Sequence, residues 1–256
     1  MTNTKLLKQA LEYMGRTVDV FATLVAAPRQ VPYKGSFVYR YVEKTVHQAL
    51  IQKLARLVSG LHAARLLLEE GFLQEQAALQ RILDEITEDV LFLSFSVLSG
   101  ESTPLREKYL EYFFQEEFDP NDDIVSSKDR AMIPRRKIRA YLDRCVSGPK
   151  GSSKNLDALR TVSKAYSGYV HAASPQIMDM YEGSPPRFKM RGMHGSERQT
   201  EHRADLWNNF CRGIMAFCLA AKAFGTEELF LSIRNFESEF LRATSNDYQS
   251  NEWPLE

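Results

Sequence analysis

Apolar residues recur along this chain at three- and four-residue intervals far more often than in strict alternation, which is the period of helices. Over residues 4–27, Leu6, Leu7, Ala10, Leu11, Met14, Val18, Phe21, Leu24 and Val25 trace such a stripe and predict a helix with one buried face. Pro28 to Gly35 interrupts it. From Ser36 the helical pattern resumes and predicts one long helix to Glu70, with Gly71 as its C-cap. A further helix is expected over 72–98, ending at Ser99-Gly100. Ser102 or Thr103 is suited to cap the next, with Pro104 in its first turn and its end near Phe118. Residues 118–134 read as a loop, 134–147 as a short basic helix opened by Pro134, and 148–155 as a turn-rich connector. Helices follow over 155–172, 175–182, 200–224 and 226–245. Residues 183–199 read as irregular, with a short strand at Arg187–Met190.

Roughly two-thirds of the positions fall in predicted helices, about twice the usual share. The expected fold class is therefore all-α: a single-domain bundle of eight to nine helices, the long ones antiparallel, over residues 1–245. Residues 246–256 are expected to form a flexible tail.

With 256 residues, 44% of them apolar, the chain can bury a core without metal or disulfide staples. The formal net charge is zero, so no global field points to nucleic acid or membrane. Three cysteines occur, with no CxxC pair. Cys211 and Cys218 stand ~10 Å apart on one helix, beyond disulfide reach. All three are expected to be reduced, which fits a cytoplasmic location. The amino-terminal stretch has no apolar signal segment, and no apolar run reaches membrane-spanning length, so no membrane partner is expected.

Several chemistries lack their motifs. No Glu-x-x-His, HExxH, zinc-type Cys/His spacing or EF-hand loop occurs, so no metal and no cofactor is expected. Glu43 and His47 stand one turn apart, a pairing more typical of an exposed helix face. GPKGSSK (148–154) places glycines and a lysine before a helix but lacks Gly-Lys-Ser/Thr. GxSxG is absent as well.

Charge is segregated beneath the neutral total. Residues 69–89 carry seven acids against Arg81. Residues 101–123 carry eight acids and two bases, and residues 128–164 eleven bases and three acids. Such blocks complement one another within a molecule or between subunits, or the basic one forms a nucleic-acid surface. Arg135, Arg136, Lys137, Arg139 and Arg144 are the candidates for that surface.

One helix concentrates the candidate chemistry. In RTVSKAYSGYVHAASP (160–175), Arg160, Lys164, Ser167 and His171 share one face at ~100° per residue. The row is a solvated face, or it lines a cleft where His171 exchanges a proton and Arg160 and Lys164 hold a phosphate. In a third arrangement it packs against the acids of 69–89, where Arg81 and Glu85, and Asp84 and Glu88, stand one turn apart.

The segments ARLLLEEGFLQEQAALQRILDEITEDVLFL (64–93), YSGYVHAASPQIMDMY (166–181), RFKMRGM (187–193) and CLAAKAFG (218–225) together resemble a family of uncharacterised bacterial all-helical domains. In that family a Leu-x-Arg-x-x-x-Glu helix precedes a Ser-x-x-Val-His segment. The resemblance marks Arg81, Glu85, Ser167 and His171 as a polar cluster and implies no activity. A weaker resemblance is to the HEPN superfamily of helical ribonucleases and nucleotide-binding proteins, whose Arg-to-His spacing is four to six residues. Here Arg160 and His171 have ten residues between them, although their helical phase still matches. The expectation is a cytoplasmic protein that works through binding, as a homo-oligomer, in a stress or antiviral setting. The alternative is a metal-independent ribonuclease or nucleotide-binding enzyme that uses His171, Arg160 and Lys164, with RNA or a nucleotide as partner.

Overall fold

The computed structural model describes residues 3–100, 102–116, 118–119, 122–127, 131–148, 161 and 164–250. Among them run nine helices: α1 (Asn3–Thr23), α2 (Val46–Glu69), α3 (Leu73–Leu98), α4 (Pro104–Phe113), α5 (Arg135–Ser147), α6 (164–170), α7 (Ser174–Met178), α8 (Glu197–Ala223) and α9 (Glu227–Ser250). Three small antiparallel hairpins decorate this all-α bundle: β1 (Arg29–Tyr33) with β2 (Ser36–Arg40), β3 (Phe118–Asp119) with β4 (Asp122–Ser127), and β5 (Tyr181–Gly183) with β6 (Pro186–Phe188).

The hairpins correct the sequence expectation at three places. Residues 36–40 are a strand, not the start of the long helix. Lys34 and Gly35 both take positive φ, 47° and 74°, and close a two-residue loop between the paired Tyr33 and Ser36. That conformation matches the twist of the flanking strands. Helix α2 begins only at Val46, where Thr45 accepts from the Gln48 N–H at 3.2 Å and donates its own N–H to Gln48 Oε1 at 3.0 Å. This capping box satisfies two otherwise orphaned donors. The expected loop 118–134 contains β3 and β4. The strand expected at Arg187–Met190 runs instead over Pro186–Phe188, paired with β5. At the carboxyl end α9 continues to Ser250, into the segment expected as a tail; 251–256 lie outside the described residues.

Leu50, Leu54, Leu57, Leu61, Ala64 and Leu68 alternate four- and three-residue steps along α2 and are all buried. They form one stripe in a core completed by Leu83, Val90 and Leu93 of α3 and by Phe210, Ile214 and Phe217 of α8. Burying each leucine fully contributes about 1.5–3 kcal/mol. Helix α1 adds Leu11, Met14 and Phe21, and the Phe21 ring stacks on Phe224 at 4.4 Å. Phe240 of α9 packs against Trp207 at 5.1 Å.

The α2–α3 corner fixes how these two core helices meet. Gly71 takes φ 72°, and its N–H and that of Phe72 donate to Leu68 O and Leu67 O. The loop before α8 docks there, with Met193 N–H donating to Gly71 O at 2.8 Å. A Cβ at position 71 would stand 2.8 Å from Met193 N, so both the backbone sign and the close approach require glycine. Among the described residues, no helix is long and apolar enough to cross a membrane.

Candidate functional site

Helix α3 carries a polar row through the core. Gln76, Gln80, Asp84 and Glu88 follow at four-residue intervals, all buried, and Asp89 is buried beside the last of them. Each four-residue step turns ~40° about the axis. The row therefore sweeps from one neighbouring helix to the next, and its upper members meet α8 while its lower members meet α5.

At the α5 end, the basic helix turns two arginines inward. Arg135 Nη1 donates to Asp89 Oδ1 at 2.5 Å, Arg135 Nη2 to Glu88 Oε2 at 2.8 Å and to the Glu85 carbonyl at 2.8 Å. One turn on, Arg139 Nε donates to Glu88 Oε1 at 2.8 Å. From α2, Lys53 Nζ reaches the other Asp89 oxygen at 2.7 Å. Burial lowers the Arg135 pKa, but Asp89 and Glu88 outweigh it and hold the guanidinium above its ordinary value. Nearer α8, Arg212 Nη1 donates to Asp84 Oδ1 at 2.5 Å. Burial still raises the Asp84 carboxyl above the usual carboxylate range, with Arg212 opposing.

A cleft of about 550 Å³ opens on this network. Tyr109, Tyr112 and Phe113 of α4 supply an aromatic wall; Ile86, Ile133 and Ile138 supply an aliphatic one; Lys53, Glu85, Asp89 and Arg135 supply the charged groups. Its size lies within the ~300–1,000 Å³ range of small-molecule sites. The Lys53 ammonium sits 5.1 Å from the Phe113 ring centroid and 5.9 Å from that of Tyr109, within cation–π reach.

At the α8 end the polar row is only partly satisfied. His202 Nδ1 donates to Gln76 Oε1 at 2.7 Å, and the Tyr169 ring stands nearly perpendicular to the imidazole with the ring centroids 5.8 Å apart. Burial lowers the His202 pKa. The same burial raises the Asp205 carboxyl and the Tyr166 phenol, which bond to one another. Both amide atoms of Gln80, Nε2 of Gln76 and Oδ2 of Asp84 are buried without a hydrogen-bond partner among the described residues. Each such atom costs about 1–3 kcal/mol of desolvation.

The residues singled out from the sequence are scattered over these features. Helix α6 turns Tyr166 and Tyr169 toward α8, while Lys164 and His171 are exposed and Ser167 is half-buried. Arg160 lies outside the described residues. The helix ends at His171, whose N–H donates to Ser167 O, because Ala172 takes φ 49° and Ala173 N–H closes onto Gly168 O. Arg81 Nε donates to Glu85 at 2.9 Å within α3. No hydrogen bond or ion pair joins that couple to His171 among the described residues, so the structure forms the Arg81–Glu85 half of the polar cluster and leaves the imidazole in solvent.

The proposed nucleic-acid surface is divided. Arg136, Lys137 and Arg144 are exposed, but Arg135 and Arg139 are spent on Glu88 and Asp89 inside the bundle. The acids of 69–89 do neutralise a basic helix; it is α5. Glu43 bonds Arg29 at 2.9 Å and His47 meets Ala223 O at 3.1 Å, so these two do not face a common ligand. In GPKGSSK only Gly148 is described. Burial pushes the Cys211 thiol up to about 11 and the Cys218 thiol to about 12, away from thiolate chemistry. Among the described residues, no three His, Cys, Asp or Glu are grouped to hold a metal ion.

Sequence reasoning missed Lys53, Asp89, Arg212 and His202 as partners. The four-residue spacing of Asp84 and Glu88 was visible, yet nothing in the chain's order pairs Lys53 with Asp89. Comparisons of the chain with protein-family models, with curated proteins and with solved structures find no match.

Proposed function

We propose that the protein works by binding a small molecule in the cleft between α3, α4 and α5. The observation that carries this reading is the cleft itself: about 550 Å³, walled by aromatic and aliphatic side chains, with Lys53, Glu85, Asp89 and Arg135 among its lining. Apolar walls with a few fixed polar groups are the usual make-up of a ligand site. The charged groups are held by one another, so they are organised before a ligand arrives, which limits the ordering cost of binding.

Titration with the neutral fluorophore N-phenyl-1-naphthylamine tests the reading. Saturable fluorescence enhancement is expected, and Ala131→Trp, which fills the cleft from an exposed position, is expected to abolish it. Enhancement that is absent, or indifferent to Ala131→Trp, refutes the cleft as a binding site.

A further inference from the structure

A second pocket, of about 370 Å³, lies between the first turn of α1, the carboxyl end of α2 and the first half of α8, and none of its lining residues lines the cleft. Leu7, Leu68, Leu206 and Trp207 supply its apolar wall, and all four are buried. Its charged members are Arg65, Glu69 and Arg203. Arg65 is only 8% exposed, yet half of its guanidinium is unused. Nη1 donates to both Glu69 oxygens, at 2.6 and 2.5 Å. Nε is buried with no hydrogen-bond partner, and Nη2 makes no bond among the described residues. A buried donor left in this state costs about 1–3 kcal/mol, and more on a charged group. The Nε–H and one N–H of Nη2 lie parallel along one edge of the planar guanidinium, the edge that a carboxylate or phosphate bonds with two oxygens. Arg203 is exposed on α8 and forms no hydrogen bond or ion pair among the described residues. Helix α1 begins at Asn3, so its positive end stands at the pocket beside Thr4, with no acid in that first turn. Two guanidiniums and a helix amino terminus thus meet a single carboxylate, which occupies Nη1 and leaves the Nε–Nη2 edge unbonded.

We infer that this pocket binds a small organic anion, its carboxylate or phosphate head on the Nε–Nη2 edge of Arg65, with Arg203 at the rim and a short apolar body against Leu7, Leu206 and Trp207. The site is separate from the cleft and does not depend on it. Nε has no contact with solvent, so an incoming oxygen meets Nη2 first and reaches Nε as the guanidinium tilts into the pocket. The head is then held by two charge-assisted bonds, and the orphaned donor gains its partner. A cation is repelled by both arginines, and an alcohol gains only an uncharged acceptor's share of the same bonds. The volume lies near the lower end of the ~300–1,000 Å³ range of small-molecule sites, which favours a short body.

Hexanoate and hexyl phosphate carry the two heads on one body, and 1-hexanol carries neither. Calorimetric titration of the full chain is expected to show saturable binding of an anion about tenfold or more tighter than 1-hexanol. Whichever of the two anions binds identifies the head. The fluorescence of Trp207, read in Trp253→Phe so that it is the one tryptophan, is expected to change with the same midpoint. Arg65→Met removes the guanidinium and is expected to weaken the anion about tenfold or more, with 1-hexanol changed by less than about threefold. Arg203→Gln alters an exposed side chain, so folding is not at stake, and is expected to weaken the anion about two- to fivefold. Neither replacement is expected to alter N-phenyl-1-naphthylamine binding in the cleft. Anions that bind the parent no more tightly than 1-hexanol, a comparison that needs no variant, overturn the inference. Anion binding indifferent to both Arg65→Met and Arg203→Gln overturns it as well.

Discussion

Glu88 is the carboxylate on which α3 and α5 are joined, and removing its charge is the sharpest test of the architecture. Its oxygens accept from Arg135 and Arg139, each at 2.8 Å, and its side chain is only 4% exposed. Glu88→Gln preserves shape and one acceptor but leaves Arg139 without the carboxylate it pairs with. Arg135 keeps Asp89 and the Glu85 carbonyl. Breaking a buried ion pair from one side costs about 3–5 kcal/mol, since the surviving charge stays in place. Solvent discounts little of this, because Arg139 is only 10% exposed. For a chain of this size the cost corresponds to a Tm lower by roughly 6–20 °C. Thermal and urea unfolding followed by circular dichroism read it out. The double variant Glu88→Met, Arg139→Met is expected to recover part of the loss, because both members of a pair are then replaced by apolar groups. A Tm for Glu88→Gln within about 2 °C of the parent would refute the claim that this carboxylate ties α5 to the core.

Three further outcomes are expected. Gln80→Met replaces a buried, unpartnered amide by an apolar group of similar length and should stabilise the fold by about 1–3 kcal/mol in urea unfolding; a destabilised variant contradicts the orphan assignment. The His202 pKa is lowered by burial, opposed by Asp205, Glu201 and Asp179 and reinforced by Arg198. The unfolded chain then binds the proton first, so stability is full above about pH 6.5 and declines as pH falls through the interval below it. His202→Gln should flatten that decline in urea unfolding between pH 7 and 5; identical profiles would place the imidazole elsewhere. His171→Ala touches an exposed side chain and should shift stability by no more than about 0.5 kcal/mol. RNA incubated with the parent and with this variant should give the same profile, and a difference would revive the nuclease alternative.

How much was legible depended on the range of the interaction. The stripe on α1, the cap at Gly71 and Pro104 in the first turn of α4 are local patterns, and they stand in the structure as the periodicity predicts. The β1–β2 hairpin was missed, although its signal was local too: alternation through Val31, Tyr33, Phe37 and Tyr39 around a two-residue turn. Helical spacing of the same apolar residues outweighed it, because a short strand and the first turns of a helix share many positions. The resemblance groups His171 with Arg81 and Glu85, and a sequence motif does not specify the direction in which α6 is laid down.

What the order of residues determined by itself was the bundle: long apolar stripes at helical period can be buried only against one another. It also determined that acids and bases sit in separate blocks. Which block meets which was decided by packing, when α5 came to rest across α3 and aimed Arg135 and Arg139 at Glu88 and Asp89. Helical period specifies a face but not its neighbour, and a charge reaches its partner only after the hydrophobic stripes have set the distance between helices.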